Sequence, residues 1–167
     1  LLSVGPVAIE RRSRHNRILQ SGCEALGWRG GGHHHNRSGC IGSGFCEIGC
    51  AYDAKNNAIK VPIPRALAAG AEALVLAQAV RLVRERGRVV GVEALAVDPV
   101  THDVLGTIDV RCGRVVLAAS ATATAALLLR SGVPDPSGTT GQSLRVHPAV
   151  VAAGDFDEPV RAWEGIP

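Results

Sequence analysis

The chain of 167 residues contains no methionine, not even at its first position, which is Leu1. A natural gene product begins with one, so the sequence is expected to be an internal piece of a longer protein. Aromatic residues are nearly as scarce: two Trp, one Tyr and two Phe, or 3% of the chain. That scarcity excludes the stacking platforms on which single-stranded nucleic acids are held. There is no run of about 18 apolar residues, so no membrane-spanning helix is expected. The basic-then-apolar pattern of a signal peptide is missing as well, which favours a cytoplasmic setting without fixing the compartment. A dominant charge is also lacking. The formal net charge is +3, and Asp and Glu interleave with the arginines, so neither nucleic acid nor an anionic membrane is indicated as the main partner. Nor is there a Gly-x-Ser-x-Gly elbow, a His-Glu-x-x-His helix or a phosphate loop.

What is present is a core-forming composition, 46% hydrophobic and rich in Ala, Val and Leu, long enough for one domain. The most informative stretch runs from Arg114 to Gly132. Val115–Leu117 has no polar alternation and reads as a strand buried on both faces. Small residues follow from Ala118 to Ala121, and Thr122 or Thr124 can cap a helix carrying Leu127, Leu128 and Leu129 that stops at Gly132. A buried strand, a small-residue turn and a helix N-terminus form the edge of a nucleotide site in an open α/β sheet. The same parts equally suit an ordinary strand–helix unit in which small side chains only allow close packing.

Elsewhere, residues 9–27 predict a helix with Ile18, Leu19, Cys23 and Leu26 near one face and Gly27 as its stop. Glycines crowd the loop that follows, which also carries His33, His34 and His35, a solvated feature by its composition. Pro64–Gly70 reads as a short helix with Pro in its first turn. Three strand-like runs come next, Ala73–Val83, Val89–Val97 and Val104–Val110, with turns at Arg86-Gly87 and Asp98–Asp103. Such short connections imply an antiparallel meander. The expected class is therefore α/β, a Rossmann-like sheet with an inserted antiparallel β-meander.

Cys40, Cys46 and Cys50 keep the spacing of a ferredoxin-type cluster loop, but Ser43 stands at the second ligand position. Three thiolates could hold iron–sulfur or zinc, two could form a disulfide, or all three could be small packing residues. Arg81, Arg84, Arg86 and Arg88 read as a solvated hairpin face, and His147 before Pro148 as a structural hydrogen-bonding residue.

Taken together, three segments resemble the flavin-dependent glucose–methanol–choline (GMC) oxidoreductases, closest to the bacterial long-chain alcohol and sterol oxidase branch. The first is Gly39-Cys40 through Cys50-Ala-Tyr-Asp53-Ala-Lys55-Asn56, running on into Pro64–Ala71. The second is Ala79–Leu82 followed by Arg88–Glu93. The third is Val115–Val133 with Leu144-Arg-Val-His-Pro148. The resemblance implies an internal fragment, residues 1–167, of one FAD-binding domain, in an enzyme that oxidises the CH–OH group of a small alcohol by hydride transfer to FAD. It implies that the main chain of Val80 meets the adenine, and that Ser120 and Ala121 lie beside the adenosine. The family's Gly-x-Gly-x-x-Gly fingerprint and its active-site His belong to segments outside this chain, so no catalytic residue is expected within it and the chain alone is expected to be inactive. Four positions depart from the family pattern: Ser120 and Asp53 stand for Gly, Ala125 for Pro and Pro134 for Gly. If position 120 requires a left-handed backbone, Ser there costs on the order of 1 kcal/mol. The rival expectation is a non-catalytic metal-binding module built on Cys40, Cys46 and Cys50, or an inactive remnant.

Overall fold

The computed structural model describes residues 2–167. In chain order the elements are β1 (Val4–Pro6), a 3-10 turn (Ile9–Arg11), α1 (Arg14–Ala25), β2 (His34–Asn36) and α2 (Pro62–Ala68), then β3 (Ala77–Glu85), β4 (Arg88–Val97), β5 (Val104–Arg111) and α3 (Ser120–Arg130). Helices are mixed with antiparallel sheets, β1-β2 and β3-β4-β5, as the α/β reading with a meander expects. The chain divides into two compact units, Leu1–Glu72 with Ala152–Pro167, and Ala73–Val151.

In the first unit the C-terminal segment is threaded between two stretches of backbone. Ile166 N–H donates to Arg11 O (2.8 Å), Ser13 N–H donates to Ile166 O (2.9 Å), and Gly165 N–H donates to Gly42 O (2.9 Å). These bonds place Ile166, Val7 and Ser13 at the centre of the unit, each no more than 2% exposed. The approach is so close that a Cβ on Gly165 would lie 2.8 Å from Ser13 N, and Gly165 also has φ +93°. Only glycine meets both demands. β1 pairs with β2 antiparallel, Val4 opposite Asn36 and Pro6 opposite His34. The His tract is thus partly a strand rather than wholly a solvated loop, because its partner lies some thirty residues upstream where local pattern cannot show it. α1 falls within the expected range and ends before Gly27, yet Leu19 and Leu26 are 67% and 64% exposed. Leu19 and Cys23 face Gly30–Gly32, a segment with no side chains to cover them. α2 starts at Pro62, two residues before expectation, and its prolines occupy the first turn, where a missing N–H leaves nothing unsatisfied.

The second unit is the meander with α3 packed on β3. Arg86 and Gly87 have φ +49° and +81°, the left-handed pair of a tight primed hairpin whose twist matches the flanking strands. The β4–β5 connection is held by Asp98, whose Oδ1 accepts from Val100 N and Thr101 N at 2.8 Å each. The Thr101 and Val100 amides hold the Asp98 carboxyl below the usual carboxylate range. Leu82, Ala94 and Leu127 form the core at 4%, 6% and 6% exposure. Burying each leucine contributes roughly 1.5–3 kcal/mol. Ser131 fastens the helix end to the sheet: its Oγ donates to Leu127 O (2.6 Å) and accepts from Leu82 N–H (2.8 Å). Arg84 Nη1 donates to Gly132 O (2.7 Å), so this arginine is a tether and not merely part of a solvated face. β3 begins at Ala77, four residues later than expected, and Leu74 and Val75 ahead of it are exposed.

Two expectations for Arg114–Gly132 are corrected. Val115–Leu117 is not a strand, and Val116 is 90% exposed. Its apolar residues carry the signal of a central strand, but no strand among the described residues pairs with them. Neither threonine caps α3; the helix begins at Ser120 behind Ala119, with no side-chain cap bond.

Gly165→Ala is expected to destabilise the first unit by about 1–3 kcal/mol from the left-handed backbone alone, with the clash added. Gly113→Ala, where a Cβ meets nothing within 4 Å, is the near-neutral control. Ser131→Ala is expected to cost about 1–2 kcal/mol, because it strands the Leu82 N–H. Denaturant titration of each variant measures these changes.

Candidate functional site

The start of α3 is backbone-defined. Ser120 sits at φ +66°, a conformation that only the absence of a Cβ makes cheap, and its Oγ lies 3.5 Å from Thr122 Oγ1. Around this turn is an open cavity of about 540 Å³ lined by Leu117, Ala118, Ser120, Ala121, Thr124 and Thr140 among others. None of its lining side chains titrates near neutrality, so the cavity suits binding rather than proton transfer. The far wall is positioned by Asp135, whose Oδ1 accepts from Ser137 Oγ (2.6 Å) and whose Oδ2 accepts from Thr140 N–H (2.7 Å). The Ser137 hydroxyl first, and then the Thr140 amide, hold this carboxyl far below the usual carboxylate range. A depressed folded-state value makes that contribution to stability present above the ordinary carboxylate range and lost as pH falls through the folded value. The wall therefore stays set at neutral pH.

Val80, half-buried in β3, has an unusual place in the ladder. Ala79 pairs with Ala94 and Arg81 with Glu93, so Val80 is the extra residue of a β-bulge with no partner in β4. β3 is an edge of its sheet. Val80 does not line the cavity that Ser120 and Ala121 share. The structure thus brings two of the three expected residues together and leaves the third on the sheet edge.

Cys40, Cys46 and Cys50 line a second cavity, of about 310 Å³, together with His35, Arg37 and Lys55. All five cysteines of the chain are free thiols. Among the described residues no three His, Cys, Asp or Glu side chains assemble as a ligand set. Two of the sulfurs accept hydrogen bonds from backbone amides of their own turns. Gly42 N–H donates to Cys40 Sγ (3.4 Å) and Ala54 N–H to Cys50 Sγ (3.3 Å). This arrangement does not support the metal-binding module. The Ala54 and Lys55 amides lower the Cys50 thiol below its ordinary value. Burial, with the Arg37 and His33 charges behind it, lowers His35, which favours a neutral ring at neutral pH. Sequence reading missed Arg37 and Lys55 in this cavity; Arg37 Nη1 is buried without a hydrogen-bond partner, which no linear pattern reveals. His147 is exposed and makes no side-chain hydrogen bond among the described residues, so the structural bond expected of it is absent. It sits in a coil segment that offers it no partner.

Comparison with known proteins decides the family. The profile described as GMC oxidoreductase matches residues 2–149. This chain belongs to the GMC oxidoreductase family. Uncharacterized GMC-type oxidoreductases from two strains of Mycobacterium tuberculosis are each 39% identical to it over 165 residues, covering 99% of this chain and 25% of theirs. One from Sinorhizobium fredii is 33% identical over 147 residues, covering 88% of this chain and 28% of its own. This GMC oxidoreductase chain thus spans about a quarter of the length of the curated relatives it matches. No solved structure matches it. Of the three positions at which the resemblance puts a family glycine, Asp53 and Ser120 have left-handed backbone, φ +49° and +66°, and Pro134 does not. Asp53 is further held by Lys60, Nζ to Oδ2 3.0 Å. At positions 53 and 120 the substitutions keep the turn and change only the energy of holding it.

Ser120→Gly is accordingly expected to raise stability by up to about 1 kcal/mol, read from the denaturation midpoint. Cys50 is expected to be alkylated by iodoacetamide at a lower pH than a cysteine in a short peptide, because its lowered thiol value gives more thiolate at any given pH. Peptide mass spectrometry of a pH series reads this directly.

Proposed function

We propose that this chain is an internal part of the FAD-binding domain of an oxidoreductase acting on the CH–OH group of small alcohols. The observation that carries the reading is the left-handed turn at Ser120, opening α3 beside a cavity walled by small side chains. A bulky residue at 118, 120 or 121 would fill that space, so the residues present fit a flat ring and ribose lying against backbone. Ser120 and Ala121 would flank the adenosine. Val80, displaced from the β3–β4 ladder at an exposed edge, would offer main-chain groups to the adenine. When bound, FAD supplies the hydride acceptor, and the protein supplies binding, orientation and electrostatics. The residues of this chain position the cofactor's adenosine end. No side chain around the cavity has the chemistry of a base that could take the alcohol proton, so the chain by itself is proposed to be inactive and to hold FAD weakly.

The test is flavin content of the full-length protein. One FAD per chain is expected after purification, and Ala121→Tyr is expected to lower flavin retention at least about tenfold while the protein stays folded. Anaerobic bleaching of the flavin by members of an alcohol panel, and not by amines or hydroxy acids, would assign the substrate class. A folded full-length protein that takes up no FAD would overturn the proposal.

A further inference from the structure

The first unit carries a further concavity besides the cysteine-lined one. It is an open cleft of about 610 Å³ formed by segments 10–17, 41–42 and 158–165. Five arginines line it: Arg11, Arg12, Arg14, Arg17 and Arg161. Three carboxylates face them, and two of these are already engaged, Glu158 by Arg14 and Glu164 by Arg161 (3.1 Å). Glu10 is left against Arg11, Arg12 and Arg17.

Neither Arg11 nor Arg17 forms an ion pair among the described residues. Arg12 commits its guanidinium to a different cavity, with Nε donating to Val7 O (3.1 Å), Nη1 donating to Gln20 Oε1, and Gly32 packed against it. Arg11 donates to the carbonyl of Cys40. Arg17 makes no ion pair or side-chain hydrogen bond among the described residues. The neutral contact orients the Arg11 fork without consuming its charge, which is the preorganisation that bidentate anion recognition requires. The same end of α1 has no acidic residue in its first turn and no side-chain cap bond, so the helix adds positive potential instead of relieving it. Ser13, which would be its cap, is buried with its Oγ accepting from Asn16 Nδ2 (3.0 Å).

We propose that this cleft binds a small multivalent oxyanion, a molecule bearing clustered phosphate or carboxylate groups, at a site separate from the flavin. Arg11 and Arg17 are its recognition residues, and the Arg14–Glu158 and Arg161–Glu164 pairs form its rim.

The experiment is calorimetric titration of the full-length protein, saturated beforehand with FAD, using inorganic pyrophosphate in one arm and citrate in the other. Saturable binding is expected in at least one arm, and the arm that binds more tightly distinguishes phosphate from carboxylate ligands. Binding should weaken as salt is raised, and at least about tenfold in Arg17→Ala and in Arg11→Ala. Arg65→Ala removes the same charge from α2 of the same unit and is expected to leave affinity within about twofold. Should Arg17→Ala unfold the protein, Arg17→Lys serves instead, keeping the charge and losing the fork. Equal loss in Arg65→Ala would reduce the effect to general charge attraction and overturn the site. So would binding that vanishes when FAD fills the protein, since the anion would then be occupying the flavin's own phosphate position. No saturable binding in either arm up to about 10 mM would also overturn it.

Discussion

The first unit depends on one close approach of backbone to backbone. Ile166 can exchange hydrogen bonds with Arg11 and Ser13 only because Gly165 carries no side chain where it passes Ser13. From that contact follow the burial of Val7, the position of Ser13 ahead of α1, and the convergence of three distant segments on the arginine cleft. The interaction is short-ranged and leaves no room for compromise, since backbone atoms cannot rotate away as a side chain can. Charge, not apolar area, then decides what the cleft will take.

The second unit rests on a different principle. Its sheet has an exposed β5 and few fully buried residues, and Leu82, Ala94 and Leu127 form a small core. Ser131 compensates by joining helix and strand through one hydroxyl that both donates and accepts. The strained turn at Ser120 lies at the opposite end of α3 from that anchor. A helix fixed at its C-terminal end can hold a left-handed residue at its start, because the cost is offset by packing already in place.

Legibility in the sequence follows the range of the interactions. The hairpin at Arg86-Gly87, the meander and the α1 boundary near Gly27 were readable because each is set by neighbours within a few residues. Position 120 was readable as a site of possible strain because Ser stands where the resembling family has Gly, and its φ of +66° agrees. β1 and β2 were not readable, since three-residue strands carry almost no periodicity and find each other across a long loop. Val115–Leu117 misled for the opposite reason: an apolar run states what a segment would bury, but not whether a partner strand is present. The arginines of segment 11–17 carry no motif in the sequence. Their convergence into a cleft is produced by residues 158–165, which no local reading connects to them.

The threading of Ile166 also has a consequence for biosynthesis. The second unit is contiguous in the chain, Ala73–Val151, whereas the first is completed by Ala152–Pro167. Domains fold as they leave the ribosome, N-terminal segments first. Here that order is inverted: residues up to Glu72 must wait for Ala152–Pro167, while Ala73–Val151 between them can close at once. During that interval Arg11 and Ser13 lack their hydrogen bonds to Ile166, and chaperone capture or premature collapse would act on the nascent chain there rather than at the meander.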